Sequence, residues 1–199
     1  MVADRGRFAL AVSGGSTPMR MLRALTLEDV PWDRVDLLQV DERVAPDGAA
    51  DRNLTALRES LPAPARVHPM PVERGDLEAA AKRYAETLAS VAGSPPVLDL
   101  VHLGLGDDGH TASLVPGDPV LDVRDREVAI SGPYQGRRRM TLTYPALDRA
   151  RQVLWLVTGE GKAAMLARLH AGDAAIPAGR VRAARATVFA DHAAAAEIV

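Results

Sequence analysis

Cysteine is missing from all 199 residues, which removes disulfide frameworks, thiolate metal sites and cysteine nucleophiles from consideration. The absence suits a reducing cytoplasm. Lysine is nearly missing too, standing only at Lys82 and Lys162 among many arginines. Such usage reads as a genome-wide nucleotide bias, so a single arginine carries little information here and a lysine somewhat more. No charge sign dominates: the formal net charge is −2 and acidic and basic residues are mixed along the chain. No electrostatic footprint for nucleic acid or an anionic membrane results. No apolar run reaches the roughly 18 residues that a membrane helix needs, and the opening MVADRGRFALAV lacks a signal peptide's cleavage pattern. Internal repeats and long low-complexity tracts are also missing. These absences predict a cytoplasmic protein whose partners are small molecules, with no nucleic acid and no membrane partner, working as a monomer or weak homo-oligomer.

What is present is enough to build a core. Hydrophobic residues make up 47% of the chain, and the length favours one domain over 1–199. Short apolar runs ending in Gly or Asp recur as FALAVSGG (Phe8 to Gly15), VDLLQVDE (Val35 to Glu42), VLDLVHLGLG (Val97 to Gly106) and QVLWLVTG (Gln152 to Gly159), and these read as buried parallel strands. Between them, helical spacing covers Pro18 to Leu25, Leu54 to Leu61, Asp76 to Val91 and Lys162 to Leu169. The alternation predicts an α/β fold with helices covering a mostly parallel, Rossmann-like sheet. Proline-rich breaks at Leu61 to Pro71 and Gly93 to Pro96 are short enough to be connections. The stretch Val115 to Arg139 is the least regular, with one candidate strand at Glu127 to Ser131.

In open parallel sheets, ligands bind outside the carboxyl ends of the strands. Four strand ends deliver SGGSTP, DER, GDDGHT and TGEGK, all polar and mostly glycine-rich. In SGGSTP, Gly14 and Gly15 permit a tight turn, Ser16 or Thr17 can cap the following helix, and Pro18 suits its first turn. The exposed N–H groups there favour an anion, most often phosphate. On the motif alone, an anion site and a plain capped turn are equally consistent. In DER, Arg43 can clamp a phosphate or carboxylate while Asp41 holds a sugar hydroxyl or orients Arg43; a solvated loop is the plainer alternative.

The segment GLGDDGHTASL, Gly104 to Leu114, places His110 after glycines in a loop that leaves its ring towards a ligand. A histidine titrates near neutral pH and can take a proton from water. Asp108, two residues upstream, can bind substrate or influence the orientation of the ring. A lone histidine in a loop is more often a satisfied polar residue, so the weight lies in its company. His68, His102, His170 and His192 lack comparable glycine and carboxylate surroundings and read as structural. In TGEGKAAML, Lys162 falls in the first turn of a helix, where it opposes the dipole and calls for a compensating anion.

Other chemistries find less support. Asp41, Glu42, Asp107, Asp108 and His110 show no HExxH or regular ligand spacing, so no metal is expected. Ser13 and Ser16 lack the G-x-S-x-G elbow. GLGDDG has no downstream ribose-binding acid, so dinucleotide binding is weakly supported.

Taken in order, LAVSGGSTP, VDERVAPDGAADRN, LGLGDDGHTASLVPG, MTLTYPAL and LVTGEGKAAML resemble the 6-phosphogluconolactonases, a branch related to the glucosamine-6-phosphate isomerases. The resemblance implies a sheet akin to the sugar-phosphate isomerase and CoA-transferase-like folds. It implies hydrolysis of 6-phospho-D-glucono-1,5-lactone to 6-phosphogluconate in the oxidative pentose phosphate pathway, with no metal or organic cofactor. On the matching positions, Gly15, Ser16 and Thr17 would hold the phosphate with Arg43 and Lys162, and His110 would be the general base with Asp108 beside it. Gly14, Asp41 and Arg139 complete the expected substrate-binding set. The related deaminating isomerases carry a glutamate in an HIAFNEP-like continuation, whereas this chain reads HTASLVP with Val115 in that place. The alternatives are a glucosamine-6-phosphate isomerase or deaminase and a noncatalytic sugar-phosphate-binding protein. Two departures stand out. Only seven residues precede Phe8, where family members usually carry an N-terminal helix, so the single domain is expected to lack that helix and expose an apolar face. After DER, APDGAADRNL keeps Asp47, Asp51 and Asn53 but loses the usual His and Tyr. Of Arg137 to Arg139, only Arg139 is carried into the candidate set, since consecutive arginines are more often solvated.

Overall fold

A computed structural model describes residues 6–62 and 64–198. Six strands form one parallel sheet: β1 (Phe8–Val12), β2 (Val35–Gln39), β4 (Arg66–His68), β5 (Leu100–Leu103), β8 (Val153–Val157) and β9 (Ala186–Ala190), in the order β4-β2-β1-β5-β8-β9. Three more, β3 (Asp41–Arg43), β6 (Val128–Tyr134) and β7 (Arg137–Leu142), form an antiparallel sheet in the order β3-β7-β6. The helices are α1 (Ser16–Leu25), α2 (Asn53–Glu59), α3 (Leu77–Ala92), α4 (Tyr144–Asp148) and α5 (Ala163–His170).

The strands of the large sheet lack polar alternation because both faces are covered. In β1, Ala9 and Ala11 pack into the cluster that holds Leu38, Tyr84, Leu88, Val101 and Leu103. Leu10 and Val12 point the other way, against Met19, Leu22, Trp32 and Leu57. This two-residue period is the geometry of a strand, and it puts small residues on the side of α3 and large ones on the side of α1. α3 presents Ala80, Ala81, Tyr84 and Leu88 as one buried stripe, the spacing of an amphipathic helix. Asp76 caps it by accepting from Ala79 N at 3.0 Å, a cap that contributes about 1 kcal/mol. Tyr84 also fixes α3 to β2, donating to Gln39 O at 3.0 Å and accepting from Gln39 N at 2.7 Å.

The expected strands are present with shorter limits and the expected helices within two residues of theirs, and the α/β architecture is as the pattern predicts. Three differences matter. VDLLQVDE is not one strand: it supplies β2 to the large sheet and, past Val40, the first residues of β3 in the small one. DER is therefore a strand with Asp41 and Glu42 buried, not a solvated loop. The Glu127 to Ser131 candidate is the first part of β6, which pairs with β7 as the outer arm of a hairpin. Neither β4 nor β9 was anticipated, being only three residues long in one case and largely exposed in the other. Val188 and Phe189 on β9, an edge strand of the large sheet, are exposed apolar side chains.

Strand order reverses between β1 and β5: β1, β2 and β4 run to one edge, and β5, β8 and β9 to the other. Loops leaving two such neighbours part in opposite directions and open a crevice at their carboxyl ends. SGGSTP and GDDGHT follow β1 and β5 respectively.

Candidate active site

A cleft of about 210 Å³ lies at that crevice, lined by the turn after β1 (Ser13 to Gly15), by Asp41 and Arg43 of β3, by the loop after β5 with His110, and by Arg139 and Lys162. The cleft continues past Arg43 to Ser16 and Asn53 on one side and past Arg139 to Asp108 and Tyr134 on the other. Nine of the ten expected site residues border this continuous groove; the tenth, Thr17, turns its hydroxyl to Thr158 at 3.3 Å.

His110 and Asp108 form a pair. Asp108 Oδ1 accepts from His110 Nδ1 at 2.5 Å and from the His110 backbone N–H at 3.0 Å. Burial raises the Asp108 carboxyl, but the hydrogen bonds from the backbone and ring of His110, with that ring's charge, outweigh it and leave the pKa lowered. The carboxylate is thus an acceptor only, which puts the ring proton on Nδ1 and leaves Nε2 with its lone pair. Of the two roles open to Asp108, orienting the ring is the one seen here. The ring lies directly over Gly106, where a Cβ would fall 2.0 Å from Nδ1. Glycine at that position is a condition for the imidazole's place.

At the start of α1 the expected side-chain cap is not made. Gly15, at φ 115, occupies the cap position and no side chain bonds the first N–H groups; Ser16 and Thr17 are already helical, so their hydroxyls lie past the position from which a cap reaches. The helix opens on the groove with its first N–H groups unclaimed by a side chain and its dipole unopposed by any acid in the first turn. Gly14 is required by packing, since a Cβ there would sit 1.9 Å from Asn53 Oδ1.

Three cations face this end. Arg43 is held by Asp51 O at 2.7 Å and Asn53 Oδ1 at 2.9 Å. Lys162 ends the 3-10 turn Glu160–Lys162 just before α5 and is ion-paired to Asp107. The counter-charge that its helix position calls for is therefore supplied in part by the chain. Arg139 is 4% exposed, and its Nε has no partner among the described residues. Its guanidinium stacks over the Tyr134 ring at 5.0 Å and bonds Gln135 Oε1 at 3.3 Å. Burial lowers its pKa against the pull of Asp41, 3.9 Å away. Of the three consecutive arginines only this one is buried: Arg138 takes the other face of the strand, and Arg137, on the same face as Arg139, lies next to the exposed hairpin turn.

Asp41 forms the floor. It accepts from Ser113 Oγ at 2.6 Å and Asn53 Nδ2 at 3.3 Å, and burial raises its pKa. It orients Arg43 only at one remove, through Asn53. Glu42 is buried beneath, accepting from Gln39 Nε2 and from the backbone N–H groups of Arg43, Asn53 and Leu54 at 2.8–2.9 Å, which pins the start of α2 to β3. Among the described residues, no three His, Cys, Asp or Glu side chains converge as metal ligands.

Asn53, Ser113 and Tyr134, which bond to candidate site residues, lie outside the expected set. Asn53 stands in the retained part of APDGAADRNL and Ser113 within HTASL, so their motifs were visible without their roles. Tyr134 has no motif, and only the hairpin brings it to the groove.

A family model for glucosamine-6-phosphate isomerases and 6-phosphogluconolactonase matches residues 1–190. The chain is 39% identical over 182 residues to the 6-phosphogluconolactonase of Synechocystis sp., covering 87% of this chain and 75% of that protein. With the 6-phosphogluconolactonase of Rattus norvegicus it shares 39% over 213 residues, covering 96% and 81%. The crystal structure of 6-phosphogluconolactonase from Thermotoga maritima superposes with a TM-score of 0.85 at 27% identity, covering 95% of this chain and 87% of that one. A monomeric glucosamine-6-phosphate deaminase shares the fold, with a TM-score of 0.82 at 17% identity over 98% and 90% of the two chains.

Proposed function

This chain belongs to the family of glucosamine-6-phosphate isomerases and 6-phosphogluconolactonases, and we propose that within it the chain hydrolyses 6-phospho-D-glucono-1,5-lactone to 6-phosphogluconate, the lactone step of the oxidative pentose phosphate pathway. The observation that carries the site assignment is the Asp108–His110 pair, which leaves Nε2 as a base in a groove that Arg43, Arg139 and Lys162 also line. The substrate is a sugar phosphate, as the family's chemistry requires.

Water held at His110 Nε2 loses a proton to the ring as its oxygen attacks the lactone carbonyl. Asp108 keeps Nδ1–H in place and steadies the imidazolium that forms. The carbonyl oxygen takes up negative charge, and we assign its stabilisation to Arg139, which reaches the His110 end through Tyr134. Collapse of the tetrahedral carbon breaks the bond to the ring oxygen, which takes the proton back from His110. The product is the open acid. The phosphate lies on the uncapped N–H groups of Gly15, Ser16 and Thr17 with Arg43 and Lys162, and anchoring there positions the carbonyl against the water.

The deaminating alternative is the weaker reading because Val115 stands where that branch has its glutamate. No helix among the described residues is long and apolar enough to cross a membrane, and we place the enzyme in the cytoplasm. Its exposed apolar edge is small, Val188 and Phe189 on β9, which fits a monomer or weak homo-oligomer. The test is freshly generated lactone: acid release must exceed the spontaneous rate, and His110→Ala must abolish the excess while phosphate-ligand binding persists. Ammonia from glucosamine 6-phosphate would support the deaminase instead, and binding of both substrates without turnover would support a sensor.

A further inference from the structure

Resting on the lactonase reading of this cleft, we propose that Tyr134 is a positioning residue of the reaction, sharing the Asp108 carboxylate with His110 from the opposite side and so setting the strength of the base.

The chain goes to some length to deliver this side chain. β6 and β7 fall out of step at the hairpin's end: Ser131 lies opposite Arg139 and Tyr134 opposite Arg137, three steps on one strand against two on the other. The one extra residue is a bulge at Gly132 and Pro133, and a bulge re-aims the side chain that follows it. From Ser131, which is buried, plain alternation would put Tyr134 on the other face; the bulge restores it to the inner side. Asp118 fixes the bulge, accepting from Gly132 N at 2.8 Å while its other oxygen caps Val120 N at 2.8 Å. The turn is then closed by Gln135 and Gly136, both at positive φ (53 and 77), as a tight hairpin of matching twist requires.

So aimed, the Tyr134 hydroxyl donates to Asp108 Oδ2 at 3.2 Å, while Oδ1 of the same carboxylate holds His110. The phenol and imidazole rings meet edge-on, centroids 5.1 Å apart. The hydroxyl lies 3.5 Å from His110 Nδ1, but the carboxylate is its closer acceptor. Burial, then the Asp108 charge, raises the Tyr134 pKa and keeps the phenol protonated as a donor. A donor on Oδ2 draws charge away from Oδ1 and weakens the carboxylate's hold on an imidazolium. The other charged groups around this end of the groove are Asp107 on the same loop, Arg43 of β3, Arg139 of β7 and Lys162 before α5, and none of them is altered by loss of one phenolic oxygen.

Tyr134→Phe keeps the ring, its contact with His110 and the stack under Arg139. The expected result is a shift of about half a pH unit upward in both the acidic limb of kcat/KM and the midpoint of the His110 ring titration followed by NMR, with KM within about twofold of wild type. Tyr134→Leu should show the same shift and a lowered kcat as Arg139 loses its platform. A Tyr134→Phe protein whose His110 midpoint does not move overturns the proposal, whatever Tyr134→Leu does to kcat. If the wild-type protein fails to accelerate lactone hydrolysis, the lactonase reading falls, yet the ring titration still decides the coupling.

Discussion

Gly106 and His110 are packed so closely that a Cβ on the first would stand 2.0 Å from Nδ1 of the second. The imidazole is thus placed by contact with backbone as well as by Asp108. Gly106→Ala should displace the ring by about an ångström and lower kcat by about 100-fold, the usual consequence of such a displacement. Circular dichroism would establish that the variant is folded, and a rate within threefold of wild type would show that the ring has room to spare.

Asp108→Asn tests the other half of that placement. An amide can present its NH₂ to Nδ1 and stabilise the tautomer with the proton on Nε2, which removes the base. The expected loss in kcat is about 10²-fold or more with KM little changed, because the substrate's phosphate contacts lie elsewhere. Steady-state kinetics against the spontaneous background decides it. A rise in KM with kcat retained would instead make Asp108 a substrate ligand.

Lys162 offers a contrast between substrates. Its ammonium is paired with Asp107, so phosphate must share it. Lys162→Met should raise KM for the phosphorylated lactone by about tenfold, the worth of one charge-assisted hydrogen bond, and leave the slower hydrolysis of unphosphorylated glucono-lactone unchanged. Asp107→Asn should act oppositely, lowering KM by about threefold as a surface ion pair is released. Equal effects of Lys162→Met on both lactones would place the lysine away from the phosphate.

How far the sequence carries this site depends on the kind of signal. SGGSTP and GDDGHT are legible because each is a local turn in which glycine and a polar residue must be near in sequence to do their work. Arg139 and Tyr134 are not, since what selects them is their place along a hairpin and a single-residue bulge, neither visible in a run such as GPYQGRRRM. Orienting Arg43 was one of two roles expected of Asp41, and the two do share a strand face; yet the link runs through Asn53, 12 residues away from Asp41, which no local pattern reveals. β9 escaped notice because ATVFA is short and largely exposed, with no continuous run of large apolar residues such as a buried strand shows.

His102 was read as structural, and its surroundings give that reading a pH dependence. The ring is fully buried on β5, neither nitrogen finds a partner among the described residues, and burial, outweighing its own backbone's pull, depresses its pKa from 6.5 to about 4. Between these values the unfolded chain binds a proton that the folded one refuses. Stability from this group is therefore complete above pH 6.5 and falls as the pH drops towards 4, by about 3 kcal/mol at most. His102→Leu fills a similar volume without a proton site. Urea titrations at pH 5 and pH 8 should give it a smaller difference between the two conditions than wild type, with stability at pH 8 equal or higher because two unpartnered nitrogens are gone. If both proteins lose the same stability between pH 8 and pH 5, the acid sensitivity arises elsewhere and the buried ring takes no part in it.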